Sequence, residues 1–209
     1  MTDTKPAVFI IDDDPSVRRS LTRLVRSVGL TAKSFASARE FLQYGHREEI
    51  GCLVLDVRMP EISGLALQEK LARAGILLPI IFISGHGTVP MSVRAMKAGA
   101  VDFLPKPFDG QDLLDAVYRA IDRCRQGKAE REELKELQAR VRSLTPKEHE
   151  VFACVITGMP NKNIADRLST AEKTIKVHRA SIMKKMGAQS LADLVRMAEK
   201  AGIRPLPTK

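Results

Sequence analysis

The chain has 209 residues, enough for one or two cores of ~100 residues each. Apolar residues make up 44% of it, yet no run approaches the ~18 consecutive apolar residues of a membrane span, so a membrane partner is not expected. The formal charge of +9 is uneven. Residues 1–127 hold 17 Lys+Arg against 15 Asp+Glu and residues 128–209 hold 17 against 10, so the basic C-terminal part points to an anionic partner, nucleic acid before membrane surface. The first residues lack the basic and apolar regions of a secretory leader. Cys52, Cys124 and Cys154 form no CxxC pair, and His46, His86, His149 and His178 show no HExxH spacing, so neither a disulfide framework nor a structural metal is expected.

In chain order, short apolar runs at 7–11, 30–35, 52–56, 80–84 and 101–104 alternate with amphipathic stretches near 15–28, 37–43, 64–74, 88–98 and 110–124. Five strand–helix repeats predict a flavodoxin-like, doubly wound α/β domain with a five-stranded parallel sheet of order 2-1-3-4-5. Such sheets carry their site beyond the C-terminal strand ends, at the switch in strand order. Residues 126–142 read as a charged helical linker. Leu134, Leu137, Val141 and Leu144 form a heptad-like stripe, either a short dimer contact or a small buried seam. From Leu144 onward the pattern is helical. Thr145, Pro146 and Glu148 form a capping signature, and four helices with tight turns follow, an all-α helix-turn-helix module over 143–209.

The chemistry sits at the predicted strand ends. Asp12, Asp13 and Asp14 follow the first strand and Asp56 follows the third, its neighbour in this topology. Crowded carboxylates repel, and Mg²⁺, which prefers oxygen ligands, relieves the repulsion. Asp14 before Pro15 reads as a helix cap, which leaves Asp12 and Asp13 to explain. Ser84 ends the fourth strand and Lys106 follows the fifth; a hydroxyl and an ammonium at one sheet edge suit phosphoryl oxygens.

The segments VFIIDDD, LVLDVRMPEISG, IFISGHG and FLPKPF occur in order, and over roughly residues 5–125 the chain resembles the receiver domains of two-component response regulators. The resemblance implies Asp56 as phospho-acceptor. It implies Mg²⁺ held by Asp12, Asp13, Asp56 and the Arg58 backbone carbonyl, and Lys106 against the phosphoryl group with a cis Lys106–Pro107 bond. Ser84 and Phe103 take the switch positions, where Thr and Tyr are commoner. A sensor histidine kinase would supply the phosphoryl group, and dimerisation is expected on the surface near 88–104.

The segment NKNIADRLSTAEKTIKVHRASIMKKM resembles the helix-turn-helix of LuxR-type regulators of the FixJ/NarL class, a match covering about 143–202. Lys173, Lys176 and Arg179 recur on one side of the helix predicted over 172–186, while Ile175, His178 and Ile182 lie on another, with Met186 below. Lys176 and Val177 are expected at base edges; Lys173, Thr174 and Arg179 at phosphates, with Lys162 and Lys184 behind them. No aromatic residue interleaves with these cations, which argues for duplex over single-strand binding. The whole reads as a cytoplasmic, phosphorylation-controlled transcription regulator and not an enzyme, with promoter DNA, a second copy of itself and RNA polymerase as further partners. One rival is a phosphotransferase of the haloacid-dehalogenase type acting through Asp12. The other is a receiver-like dimerisation module indifferent to phosphorylation.

Overall fold

A computed structural model describes residues 5–45, 49–85 and 87–204. His46 and His86 lie outside these residues, so the expectations that include them concern undescribed positions. The chain divides into two compact units, Met1–Lys128 and Ala129–Lys209.

The first unit is built on β1 (Ala7–Ile11), β2 (Thr31–Phe35), β3 (Gly51–Asp56), β4 (Ile80–Ser84) and β5 (Asp102–Pro105). Between and after them come α1 (Pro15–Ser27), α2 (Ala38–Tyr44), α3 (Gly64–Arg73), α4 (Val89–Lys97) and α5 (Gly110–Arg142). All pairings are parallel and the order is β2-β1-β3-β4-β5, as the alternation predicts. The central strands read AVFII, GCLVLD and IIFIS and are buried at every position, the pattern of a parallel sheet covered on both faces. Successive side chains alternate between those faces. Phe9, Ile11, Leu53, Leu55 and Phe82 pack with Phe41, Leu67, Leu71 and Ala95 from α2, α3 and α4. Val8, Ile10, Val54, Ile81 and Ile83 pack with Leu21, Val25, Leu113, Val117 and Ile121 from α1 and α5. Truncating one of the buried phenylalanines would cost about 3–5 kcal/mol.

Local sequence sets the helix starts. Asp14 caps α1 by accepting from the Ser16 amide at 2.7 Å, Ser37 caps α2 from Glu40 at 3.2 Å, and Ser63 caps α3 from Ala66 at 3.3 Å. Each is worth ~1 kcal/mol. Gly127 does not interrupt α5: a helical glycine costs only ~1 kcal/mol, and its neighbours are strong helix formers.

In the second unit α6 (Pro146–Val155), α7 (Asn161–Arg167), α8 (Glu172–Met186) and α9 (Leu191–Lys200) enclose a core of Val151, Phe152, Ile164, Ile175, Ile182, Met186 and Leu194. Leu137 from α5 and Leu144 are buried in this core and Val141 packs against it, so these three residues of the apolar stripe form a buried seam, while Leu134 is half-buried outside it. The guanidinium of Arg140 donates to the Met186 carbonyl at 3.0 Å, placing a cation at the negative C-terminal end of α8. Gly187 then ends α8 with φ +71°, the left-handed cap that glycine adopts without strain.

Candidate functional site

The register explains how distant acids meet. Ile11 pairs with Leu55, so the next residues, Asp12 and Asp56, emerge side by side at the switch in strand order. Ser84 pairs with Pro105, which brings Lys106 to the same edge. The Lys106 ammonium lies 2.7 Å from Asp12 Oδ2 and 2.9 Å from Asp56 Oδ1. Its backbone amide donates to the Ser84 carbonyl at 2.7 Å, and the Lys106–Pro107 bond is cis. Asp12 and Asp56 are only 1% and 6% exposed, so both carboxylates work against desolvation. Their remaining oxygens are held locally: Asp14 N donates to Asp12 Oδ1 at 2.8 Å and Arg58 N to Asp56 Oδ2 at 2.7 Å.

Burial pushes the Asp56 carboxyl above its ordinary value and the charge of Asp12 adds to this, against the opposing hydrogen bond from Lys106. Burial disfavours the Lys106 charge, but hydrogen bonds to Asp12 and Asp56 outweigh it, so the ammonium is held above its ordinary value. The result is a basic, desolvated carboxylate beside a fixed cation.

Asp13 follows Asp12 but is exposed. Among the described residues no group of three His, Cys, Asp or Glu is drawn together, and Asp13 makes no hydrogen bond or ion pair to Asp12, Asp56 or Lys106. Arg58 is exposed and contributes its amide to Asp56. Ser84 is 1% exposed at the end of β4. Phe103 is half-buried, its ring 6.1 Å from that of Phe82, and a Cβ built on Gly87 would come within 2.7 Å of its Cε1. Gly64 opens α3 directly behind Asp56, and a Cβ there would lie 2.3 Å from the Asp56 carbonyl oxygen. Gly64→Ala is therefore expected to destabilise the first unit by about 2–3 kcal/mol; urea denaturation of the two forms measures it.

On α8, Ile175, Ile182 and Met186 are buried and His178 is half-buried. Lys173, Thr174, Lys176 and Val177 face outward, Val177 at 63% exposure, with an apolar surface that no described residue covers. Lys176 pairs with Glu172 at 3.1 Å, an exposed contact worth a few tenths of a kcal/mol that an anionic ligand displaces readily. Arg179 is half-buried and donates to Asn161 Oδ1 at 3.1 Å, so α7 fixes its direction. Lys162 and Lys184 are exposed.

Comparison with known families agrees with both halves. Residues 8–118 match the response regulator receiver domain, and residues 142–198 match the bacterial regulatory proteins of the luxR family. The chain belongs to the two-component response regulators. Proteins similar to it include nodulation protein W of Bradyrhizobium diazoefficiens, 53% identical over 96% of this chain and 88% of that one. The transcriptional regulatory protein FixJ of Rhizobium meliloti is 42% identical over 98% and 100%. Among solved structures, response regulator StyR superposes with a TM-score of 0.84 at 48% identity, covering 94% of this chain and 99% of that one. Full-length FixJ from B. japonicum gives 0.58 at 40% identity, covering 96% and 98%. Response regulators that join a receiver to a luxR-type domain are transcription factors, not enzymes; the receiver implies a kinase partner and the luxR-type domain implies DNA binding.

Two features of this response regulator escape a reading of its sequence. Arg18 Nη1 donates to the Asp12 backbone carbonyl at 2.7 Å, steadying the loop that carries the acid. Glu148, a capping residue at the sequence level, also accepts from Ser181 at 2.6 Å and from Lys185 at 2.7 Å, which joins α6 to α8. An i, i+4 Ser–Lys pair on a helix gives no signal of a partner more than thirty residues upstream.

Proposed function

We propose that Asp56 accepts a phosphoryl group from a phosphohistidine of a sensor kinase and that the modified protein dimerises and regulates transcription, most simply by activation. The observation that carries this reading is one ammonium, Lys106, within 3 Å of two buried carboxylates delivered by different strands. A carboxylate oxygen of Asp56 attacks phosphorus, the P–N bond to imidazole breaks, and an acyl phosphate forms. Lys106 is fixed where charge develops on the transferring oxygens, so little reorganisation is needed during transfer.

Hard oxygen donors crowded at one sheet edge suit Mg²⁺, which commonly takes one or two carboxylates and completes its shell with waters and phosphate. Asp12, Asp13, Asp56 and the Arg58 carbonyl would hold it. Exposure of Asp13 at the rim is compatible with a ligand that reaches the ion from the solvent side. The ion supplies charge neutralisation at the phosphoryl oxygens.

After transfer, the Ser84 hydroxyl hydrogen-bonds the phosphoryl group and Phe103 turns inward, biasing a pre-existing two-state equilibrium. The surface that changes is α4 and β5. There Val89, Val93 and Met96 are exposed at 77%, 45% and 45%, an apolar face of the kind a second copy covers. In the second unit, α8 enters the major groove with Lys176 and Val177 at base edges and Lys173, Thr174 and Arg179 on phosphates. Two such modules on one dimer call for half-sites about one helical turn apart. RNA polymerase is the onward partner. The setting is the cytoplasm; among the described residues no helix is long and apolar enough to cross a membrane.

Borohydride trapping of the phosphorylated protein tests the assignment. Reduction at Asp56 is expected. Reduction at Asp12 would move the chemistry to the first strand and overturn it.

A further inference from the structure

The cations of the first unit are unevenly placed. Between positions 15 and 39 the sequence holds Arg18, Arg19, Arg23, Arg26, Lys33 and Arg39 and no acid. The four arginines of α1 line a groove of about 670 Å³ beside β2, together with Pro15, Thr22 and Ser34. Their own hydrogen bonds are few. Arg19 and Arg26 reach Ser16 Oγ and the Ala32 carbonyl only at 3.4 Å, and Arg23 has no hydrogen-bond or ion-pair partner among the described residues. Arg18 alone makes a short bond, to the Asp12 carbonyl. The floor carries a second signal: Thr22 Oγ1 is buried without a hydrogen-bond partner, the one such side-chain atom among the described residues.

We propose that this groove binds a small anion carrying two or more phosphate groups. Guanidinium forks match phosphate oxygens two bonds at a time, and four of them with no ion-pair partner among the described residues repel one another until an anion is present. The volume falls within the ~300–1,000 Å³ typical of small-molecule sites. The lining argues against a protein partner. Pro15 is its only apolar member, whereas protein interfaces are anchored by large apolar or aromatic side chains. Thr22, which lines the groove, has a hydroxyl without a hydrogen-bond partner among the described residues.

Pyrophosphate, titrated calorimetrically into the full-length protein in magnesium-free buffer, is the direct probe. Saturable binding with a rise in melting temperature is expected. Arg19→Gln/Arg23→Gln should weaken it at least tenfold. Thr22→Val should weaken it severalfold without lowering the melting temperature of the free protein. Asp56→Asn and Lys106→Ala should leave it unchanged, which separates the groove from the acidic site. No binding by wild type, or binding indifferent to the groove replacements, overturns the proposal. Absence of pyrophosphate binding combined with lost phosphoryl transfer from a kinase in the double variant would assign the face to an acidic protein surface instead, and would equally overturn it.

Discussion

Asp56→Asn is expected to accept no phosphoryl group from a sensor kinase while remaining folded. The amide keeps the shape of the side chain and can still accept from Arg58 N, which lies 2.7 Å from Oδ2 in the wild type. Lys106 keeps its bond to Asp12, so no buried ammonium is left alone. What disappears is the nucleophile, and with it the acyl phosphate. Because burial holds the Asp56 carboxyl above its ordinary value, its replacement by a neutral group relieves a desolvation cost. The variant should therefore melt at or slightly above the wild-type temperature. Radiolabel transfer from phosphorylated kinase and a melting curve measure the two parts. Label retained on the variant at wild-type levels would place the acceptor elsewhere.

The second large effect concerns Glu148. Its carboxylate is nearly inaccessible and accepts from Thr145 N at 2.7 Å as well as from Ser181 and Lys185, so one side chain closes the start of α6 and ties it to α8. Glu148→Ala removes three acceptor interactions and leaves two donors without a partner. The expected loss is ~2–4 kcal/mol, toward the lower end because Lys185 is one-third exposed and reaches water. Calorimetry of the full-length protein should show the transition of the second unit fall while that of the first is unchanged. DNA affinity should fall with it, since α8 carries the basic face.

The same group sets a pH dependence. The hydrogen bond from Lys185, followed by those from Ser181 and Thr145, lowers the Glu148 carboxyl from 4.5 to about 2. A carboxylate lowered by folding contributes stability that is complete above its unfolded value and is lost as pH falls toward its folded value. The second unit should therefore lose stability between pH 4.5 and about 2, by no more than about 3 kcal/mol. Glu148→Gln should flatten the melting temperature across that window. An equally steep decline in the variant would show that other carboxylates govern acid unfolding.

The first unit was legible because its strands are buried on both faces. Unbroken apolar runs such as AVFII and IIFIS announce a parallel sheet, and that topology forces Asp12 and Asp56 together although 44 positions separate them in the chain. Lys106 was legible for the same reason, since a residue just past a strand end has few places to go. Asp13 shows the limit: adjacency in sequence does not say which of two neighbouring carboxylates turns inward, and it is Asp12 that is buried. The stripe from Leu134 to Leu144 was ambiguous because an apolar seam has the same period whether its partner is another copy or the chain's own helices. The capping box at Thr145 and Glu148 was visible as a local motif, whereas its bonds to Ser181 and Lys185 depend on how α6 and α8 pack. The acid-free arginine stretch was in plain view, but only the groove beside β2 and the unpartnered Thr22 hydroxyl give it a meaning.

The central claim is that chemistry at Asp56 controls the grip of α8 on a duplex. The most direct measurement compares wild type with Asp56→Asn, each with and without Mg²⁺ and beryllium fluoride, a phosphoryl mimic, by gel shift and sedimentation at fixed salt, since affinity for DNA falls steeply with ionic strength. Beryllium fluoride should convert wild type to a dimer and tighten its binding to a two-half-site duplex, with the variant unresponsive. Equal affinity and equal mass in all four samples would contradict the account and leave a DNA-binding protein whose first unit switches nothing.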